Sequence, residues 1–190
     1  MRSPKEKTNT TSHTIHDIGL GAWFGGSLMG AIALNTAASV IPDPKDRARV
    51  VNKAWARWTP VNLAAIGAYV AGGAALMSGN RDRLKTQDGV AKLTMIKLGI
   101  TGAAFLATGY ARVIGQKMIS AGDVPVEDGT TSTDETPEDI TKAQRKLKML
   151  QWAIPAHVGA LIAISSRMSE QQRPEEVLPG MAKRLLHRVA

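Results

Sequence analysis

Charged residues fall in clusters along this chain, and the clusters leave four long apolar blocks between them. From Ile18 to Ile41 about 24 residues pass without a charge, and from Pro60 to Gly79 about 20 more. A third block, Leu93 to Gly115, holds about 23 residues and contains Lys97 and Arg112; a fourth, closing at Ser166, has about 18 uncharged residues from Met149. At 1.5 Å per residue the first block alone rises roughly 36 Å as a helix, enough for a hydrocarbon core of about 30 Å. The pattern predicts an all-α fold, a four-transmembrane-helix bundle with spans near 18–41, 60–79, 93–115 and 147–166.

Within the first block, His16, Gly19, Trp23, Gly26, Gly30, Ala33 and Ala37 recur at steps of three and four and share one face. That face is small, and Gly21/Gly25 and Gly26/Gly30 are GxxxG pairs, so a close helix–helix contact is expected through Gly19, Trp23, Gly26 and Gly30. In the second block Asn62, Ile66, Tyr69, Gly73 and Leu76 align, with Asn62 and Tyr69 suited to interhelical hydrogen bonds. The third block spans only if Lys97 and Arg112 direct their charges toward opposite interfaces. Pro155 interrupts the fourth and predicts a kink.

The connectors differ in character. Asp43 and Pro44 form a helix-start pair. The residues that follow put Val50, Val51, Ala54, Trp55 and Trp58 on one side and Arg47, Arg49, Lys53 and Arg57 on the other. This pattern predicts a separate amphipathic interfacial helix between spans one and two, with Trp55 and Trp58 among the headgroups. Thr59-Pro60 would then restart the chain as the second span. Asn80 to Lys92 reads as a charged connector. Residues 120–136 are acidic and rich in Gly, Pro and Thr, a flexible loop without the spacing of a calcium-binding loop. Thr136-Pro137-Glu138-Asp139 marks the next helix start. Residues 1–15 read as a disordered basic tail and residues 167–190 as a polar, basic one.

Composition narrows the class. The chain has no Cys, which excludes thiolate metal sites and disulfides, and only 4% aromatic residues, in keeping with small-residue membrane interfaces. The mean hydropathy of −0.10 averages apolar blocks with highly charged connectors. The net charge of +8 is spread over residues flanking the blocks, which favours an anionic bilayer surface over nucleic acid. No cleavable signal peptide is evident, and the expected location is the cell membrane, multi-pass. Basic residues are nearly balanced between the two sides. Those nearest the first span place the Pro42–Thr59 and Gln116–Leu147 connectors in the cytoplasm.

No P-loop, GxGxxG turn, HExxH, GxSxG or paired catalytic carboxylate set occurs. Chemistry is left to His16, His157 and the intramembrane amides Asn35 and Asn62. The segment His16-x6-Trp23-x-Gly25-Gly26 resembles the first-helix signature of small bacterial membrane families. These are the copper resistance protein D type, a domain family of unknown function and, distantly, the HemJ-like protoporphyrinogen oxidases. With HDIGLGAWFGGSLMG and a late QWAIPA segment, the chain as a whole resembles uncharacterised bacterial four-helix integral membrane proteins. The resemblance implies a four-helix bundle and makes His16 alone a candidate cofactor ligand for haem or copper, with His157 the second candidate among the residues themselves. The Met- and His-dense motifs of a copper transporter are missing. With four spans, moreover, His157 lies roughly 13 Å deeper than His16, a poor placement for two axial ligands of one iron. The leading expectation is therefore an integral membrane protein of structural or interaction type, without catalytic activity. It would work with a membrane-protein partner or a second copy of itself; a metal- or haem-dependent enzyme or carrier using His16 is the alternative.

Overall fold

A computed structural model describes residues 4–79 and 88–170, and the described residues form four long helices with one ordered connector. Helix α1 runs Pro4–Met29 and continues through a π-helical turn, Gly30–Leu34, an α-turn, Asn35–Ala37, and a 3-10 turn, Ala38–Val40. Helix α2 spans Pro44–Gly79, α3 Asp88–Ser120 and α4 Glu138–Glu170. Each of the four is long and apolar enough to cross a membrane, as the block pattern predicts. Most of the expected charged connector and of the C-terminal tail, residues 80–87 and 171–190, lies outside the described residues, as do residues 1–3.

The helices form two hairpins. α1 packs along α2, α3 packs along α4, and α1 joins the hairpins by meeting α4; α2 and α3 scarcely touch. The main core lies where the hairpins meet, built from Leu20, Trp23, Tyr69, Ala104, Ile154, Val158 and Leu161. A second cluster, Ile114, Met118, Ile140 and Ala143, ties α3 to α4 near their connector. Large apolar side chains on the outer face stay uncovered on all four helices: Ile18, Leu63, Leu106 and Met149 are 62–77% exposed.

Four features depart from the sequence pattern. First, no separate interfacial helix forms, because α2 is continuous through Thr59 and Pro60. The Thr59 hydroxyl donates back to the Trp55 carbonyl at 2.8 Å and so serves the helix interior instead of capping a new one. At 36 residues α2 rises roughly 54 Å, well beyond a hydrocarbon core of about 30 Å. Second, Trp55 and Trp58 pack on α1: a Cβ on Gly30 would overlap the Trp55 ring, and one on Gly26 the Trp58 ring. Third, the small-residue face of α1 holds only to Gly30. The π-turn accommodates one extra residue, which moves the buried face to Ala31, Asn35 and Ala38 and leaves Ala33 and Ala37 exposed. Of the two GxxxG pairs only Gly26/Gly30 is used; Gly21 and Gly25 have nothing near them.

The fourth departure is the acidic loop, which is folded where flexibility was expected. Gly122, at φ 75°, ends α3 in the left-handed conformation while the Ala121 amide donates back to the Lys117 carbonyl at 3.0 Å. Val126 and Ser132 pair as an antiparallel bridge, and Asp128 Oδ1 accepts from the Thr130 amide at 2.6 Å. The Thr136 hydroxyl, expected to cap α4, donates to the Pro125 carbonyl at 2.6 Å. Arginines expected among headgroups hold this loop instead: Arg49 Nη2 lies 2.9 Å from Asp123 and Arg47 Nη1 3.3 Å from Glu127. The first residues of α1 are helical from Pro4, where a disordered tail was expected.

Candidate functional site

Two buried polar clusters lie at opposite ends of the bundle, and they are built differently. The first surrounds His16, which is 2% exposed. α1 reaches α2 here at backbone distance, because Gly19 faces the Ala65 carbonyl and the Tyr69 amide while Gly72 faces the backbone of Ser12 and His16. His16 Nδ1 is 2.7 Å from Asp17 Oδ1, and Nε2 is 3.0 Å from Lys97 Nζ. An ammonium has donors only, so Nε2 accepts and the Nδ1–H donates to Asp17. The Tyr69 ring lies 4.8 Å from the imidazole and 5.8 Å from the Lys97 nitrogen; its hydroxyl is 2.8 Å from Thr101 Oγ1 on α3. Tyr69 thus makes an interhelical hydrogen bond of the kind the sequence predicts.

This arrangement occupies both ring nitrogens of His16 and sets a cation against the one that would face a metal. His157, half-buried on α4, is 2.6 Å through Nδ1 from the Ala153 carbonyl, one turn back on its own helix. No hydrogen bond or ring contact joins it to His16 among the described residues. Nor do those residues include a group of three or more His, Asp or Glu arranged to hold a metal ion. An aromatic layer closes the centre of the bundle: Trp23, fully buried, stacks on Phe105 at 5.5 Å and meets Tyr69 at 6.1 Å.

The second cluster centres on Asn35, turned inward by the π-turn and 3% exposed. Its Nδ2 donates to Gln151 Oε1 on α4 at 2.9 Å, and its Oδ1 accepts from Trp55 Nε1 on α2 at 2.9 Å. Its backbone carbonyl accepts from the Gly129 amide of the acidic loop at 3.0 Å. One residue therefore joins three elements, two through its side chain and the loop through its backbone, and the loop seals the end of the bundle. A side chain at Gly129 would collide with Asn35.

Beside this junction, where α2 and α3 stand apart, is a cavity of about 440 Å³. Its size falls within the roughly 300–1,000 Å³ of small-molecule sites. Trp55, Thr59, Asn62 and Ile66 of α2 and Phe105, Thr108 and Arg112 of α3 line it. Within this lining Asn62 Oδ1 and Thr108 Oγ1, themselves out of reach of solvent, have no hydrogen-bond partner among the described residues. Arg112 has a neutral partner, the Gln116 amide turned with its oxygen toward the guanidinium. Among the described residues no carboxylate pairs with it.

No family model, curated protein or solved structure matches the chain. The site must be read from its own geometry.

In that geometry the sequence-selected residues divide. His16 and Tyr69 meet in the first cluster, Asn35 and Asn62 line the cavity, and His157 joins neither cluster. Gln151, Thr108 and Arg112 were not selected as site residues. A signal for two of them was present: Thr101, Phe105, Thr108 and Arg112 follow at steps of four, three and four, a partly polar stripe in an apolar block.

Proposed function

We propose that this chain is a multi-pass integral protein of the cell membrane, of interaction type, that takes up an apolar or amphipathic molecule between its two hairpins without transforming it. The cavity between α2 and α3, with unpaired Asn62 and Thr108 on its walls, carries this reading. A seam that neither hairpin closes is where a bilayer component would enter sideways. Placement in lipid is supported by the uncovered apolar side chains on every helix, since a water-soluble bundle would have to leave that belt wet. The same belt offers contact to a membrane-protein partner or a second copy of the chain. A haem or copper enzyme using His16 has less support, because Asp17 and Lys97 already engage both nitrogens.

A photoreactive long-chain alcohol tests the reading. Added to membranes containing the protein, it should crosslink to peptides of α2 and α3 around Asn62 and Thr108. Gly109→Trp, which places an indole at the cavity wall, should remove that labelling. Labelling unchanged by the plug would count against uptake in the cavity. Release of the protein from membranes by an alkaline carbonate wash would count against the integral placement.

A further inference from the structure

We infer that the cavity binds a single-chain amphiphile with a carboxylate head, the head held by Arg112 and the chain lying along the seam toward Phe105. This rests on the cavity being a ligand site and adds the class of ligand. Arg112 and Thr108 on α3 and Thr59 and Asn62 on α2 line the middle of the cavity, between Ile66 and Phe105 on one side and Val51, Met118 and Ile119 toward the loop. On α3 the lining runs from Phe105 to Ile119, about 21 Å of helix, with Arg112 midway, so a chain lying from Arg112 toward Phe105 has about 10 Å of wall beside it. Such a wall suits one chain with one head.

Arg112 lies eight residues before the end of α3, about 12 Å from it, inside a helix apolar enough to span. A guanidinium at such a place needs an anionic or strongly accepting partner. Three carboxylates of the adjoining loop are held elsewhere: Asp123 is engaged by Arg49 and Glu127 by Arg47, while Asp128 accepts from Thr130 and Thr131. Among the described residues only the Gln116 oxygen answers Arg112, which leaves guanidinium donors unused by them. A carboxylate fits the planar fork with two parallel hydrogen bonds.

The test uses the purified full chain in micelles, in alkaline buffer so that the acid is ionised, with diazirine-tagged palmitic acid and the matching tagged alcohol. The acid should label α2 and α3 at about tenfold lower concentration than the alcohol, the effect of one charge-assisted hydrogen bond. Arg112→Gln should bring the acid down to the level of the alcohol, and Arg112→Lys should retain part of the difference. Continued alcohol labelling of Arg112→Gln shows that this variant is folded. Equal labelling by acid and alcohol in the unmodified chain, or acid labelling indifferent to Arg112→Gln, overturns the headgroup assignment. If alcohol labelling is still lost in Gly109→Trp, the cavity reading survives that result; if it is not, the cavity reading falls with it. Competition by phosphatidylglycerol as strong as by untagged palmitic acid overturns the single-chain assignment in favour of a two-chain anionic lipid.

Discussion

Around His16, polar groups are enclosed by backbone: glycines at 19 and 72 let α1 and α2 touch, and Asp17, Lys97 and Tyr69 fill the space about the ring. Around Asn35 the same number of helices converge, yet the closest packing is by tryptophan rings on Gly26 and Gly30, and the amides border open volume. Both ends bury polar side chains in helices apolar enough to span. At the His16 end the imidazole, the Lys97 ammonium and the Tyr69 hydroxyl have polar partners, while Trp23 Nε1 in the aromatic layer, like Asn62 Oδ1 and Thr108 Oγ1 toward the loop end, has none. Unpaired buried polar atoms cost about 1–3 kcal/mol each and occur in both regions, so it is the open volume beside Asn35 that distinguishes a binding end from a structural one.

Substitutions should separate the two ends, and the largest effect belongs to the closed one. Gly72→Leu would set a side chain against the Ser12 and His16 backbone, where nothing flexible can yield, and should destabilise the protein by about 3 kcal/mol in denaturant unfolding from micelles. Gly26→Leu meets a tryptophan ring and should cost less. Next is Asn35→Leu, which strands Trp55 Nε1 and the Gln151 amide and should cost about 2 kcal/mol, partly relieved by water in the adjacent cavity. Lys97→Met should change stability by no more than about 1 kcal/mol, since removing a half-buried cation offsets the loss of its bond to His16. A loss of several kcal/mol there would assign Lys97 a larger structural role than this account gives it.

The smallest effect should appear on the loop. The Arg49 hydrogen bond holds the Asp123 carboxyl below the usual carboxylate range. Because that value is lowered in the folded protein, the contribution is present at neutral pH and is lost as pH falls through the lowered value. The pair is exposed, so melting temperature should decline only slightly on the acid side, and Asp123→Asn should remove that increment of the decline.

Much of the architecture was legible because long uncharged blocks and three-four spacing are local properties. Four helices, the Gly19/Gly26/Gly30 contact and the bond of Tyr69 all follow from them. The failures have physical causes that no local pattern carries. Thr59-Pro60 looks like a cap and first-turn pair, yet a hydroxyl that bonds back into its own helix serves continuity equally well. Ala33 and Ala37 keep the period of the face, but a π-turn upstream rotates them outward and brings in Asn35. Basic residues before the second span and acidic ones after the third read as independent solvated segments. Their pairing through Arg47 and Arg49 depends on contacts about eighty positions apart in the chain. Arg112 was read as reaching for an interface, since only the arrangement of α2 beside α3 reveals a cavity next to it.

The chain contains no cysteine, so the difference between the ends can be probed one thiol at a time. Gly109→Cys, on the cavity lining where an added side chain meets nothing, and Thr101→Cys beside Tyr69 lie about 12 Å apart along α3. In micelles, N-ethylmaleimide should modify the cysteine at 109 much faster than that at 101, and occupancy of the cavity by palmitic acid should slow only the former. Equal rates at the two positions, or protection by palmitic acid at neither, would contradict an open loop end and a closed His16 end.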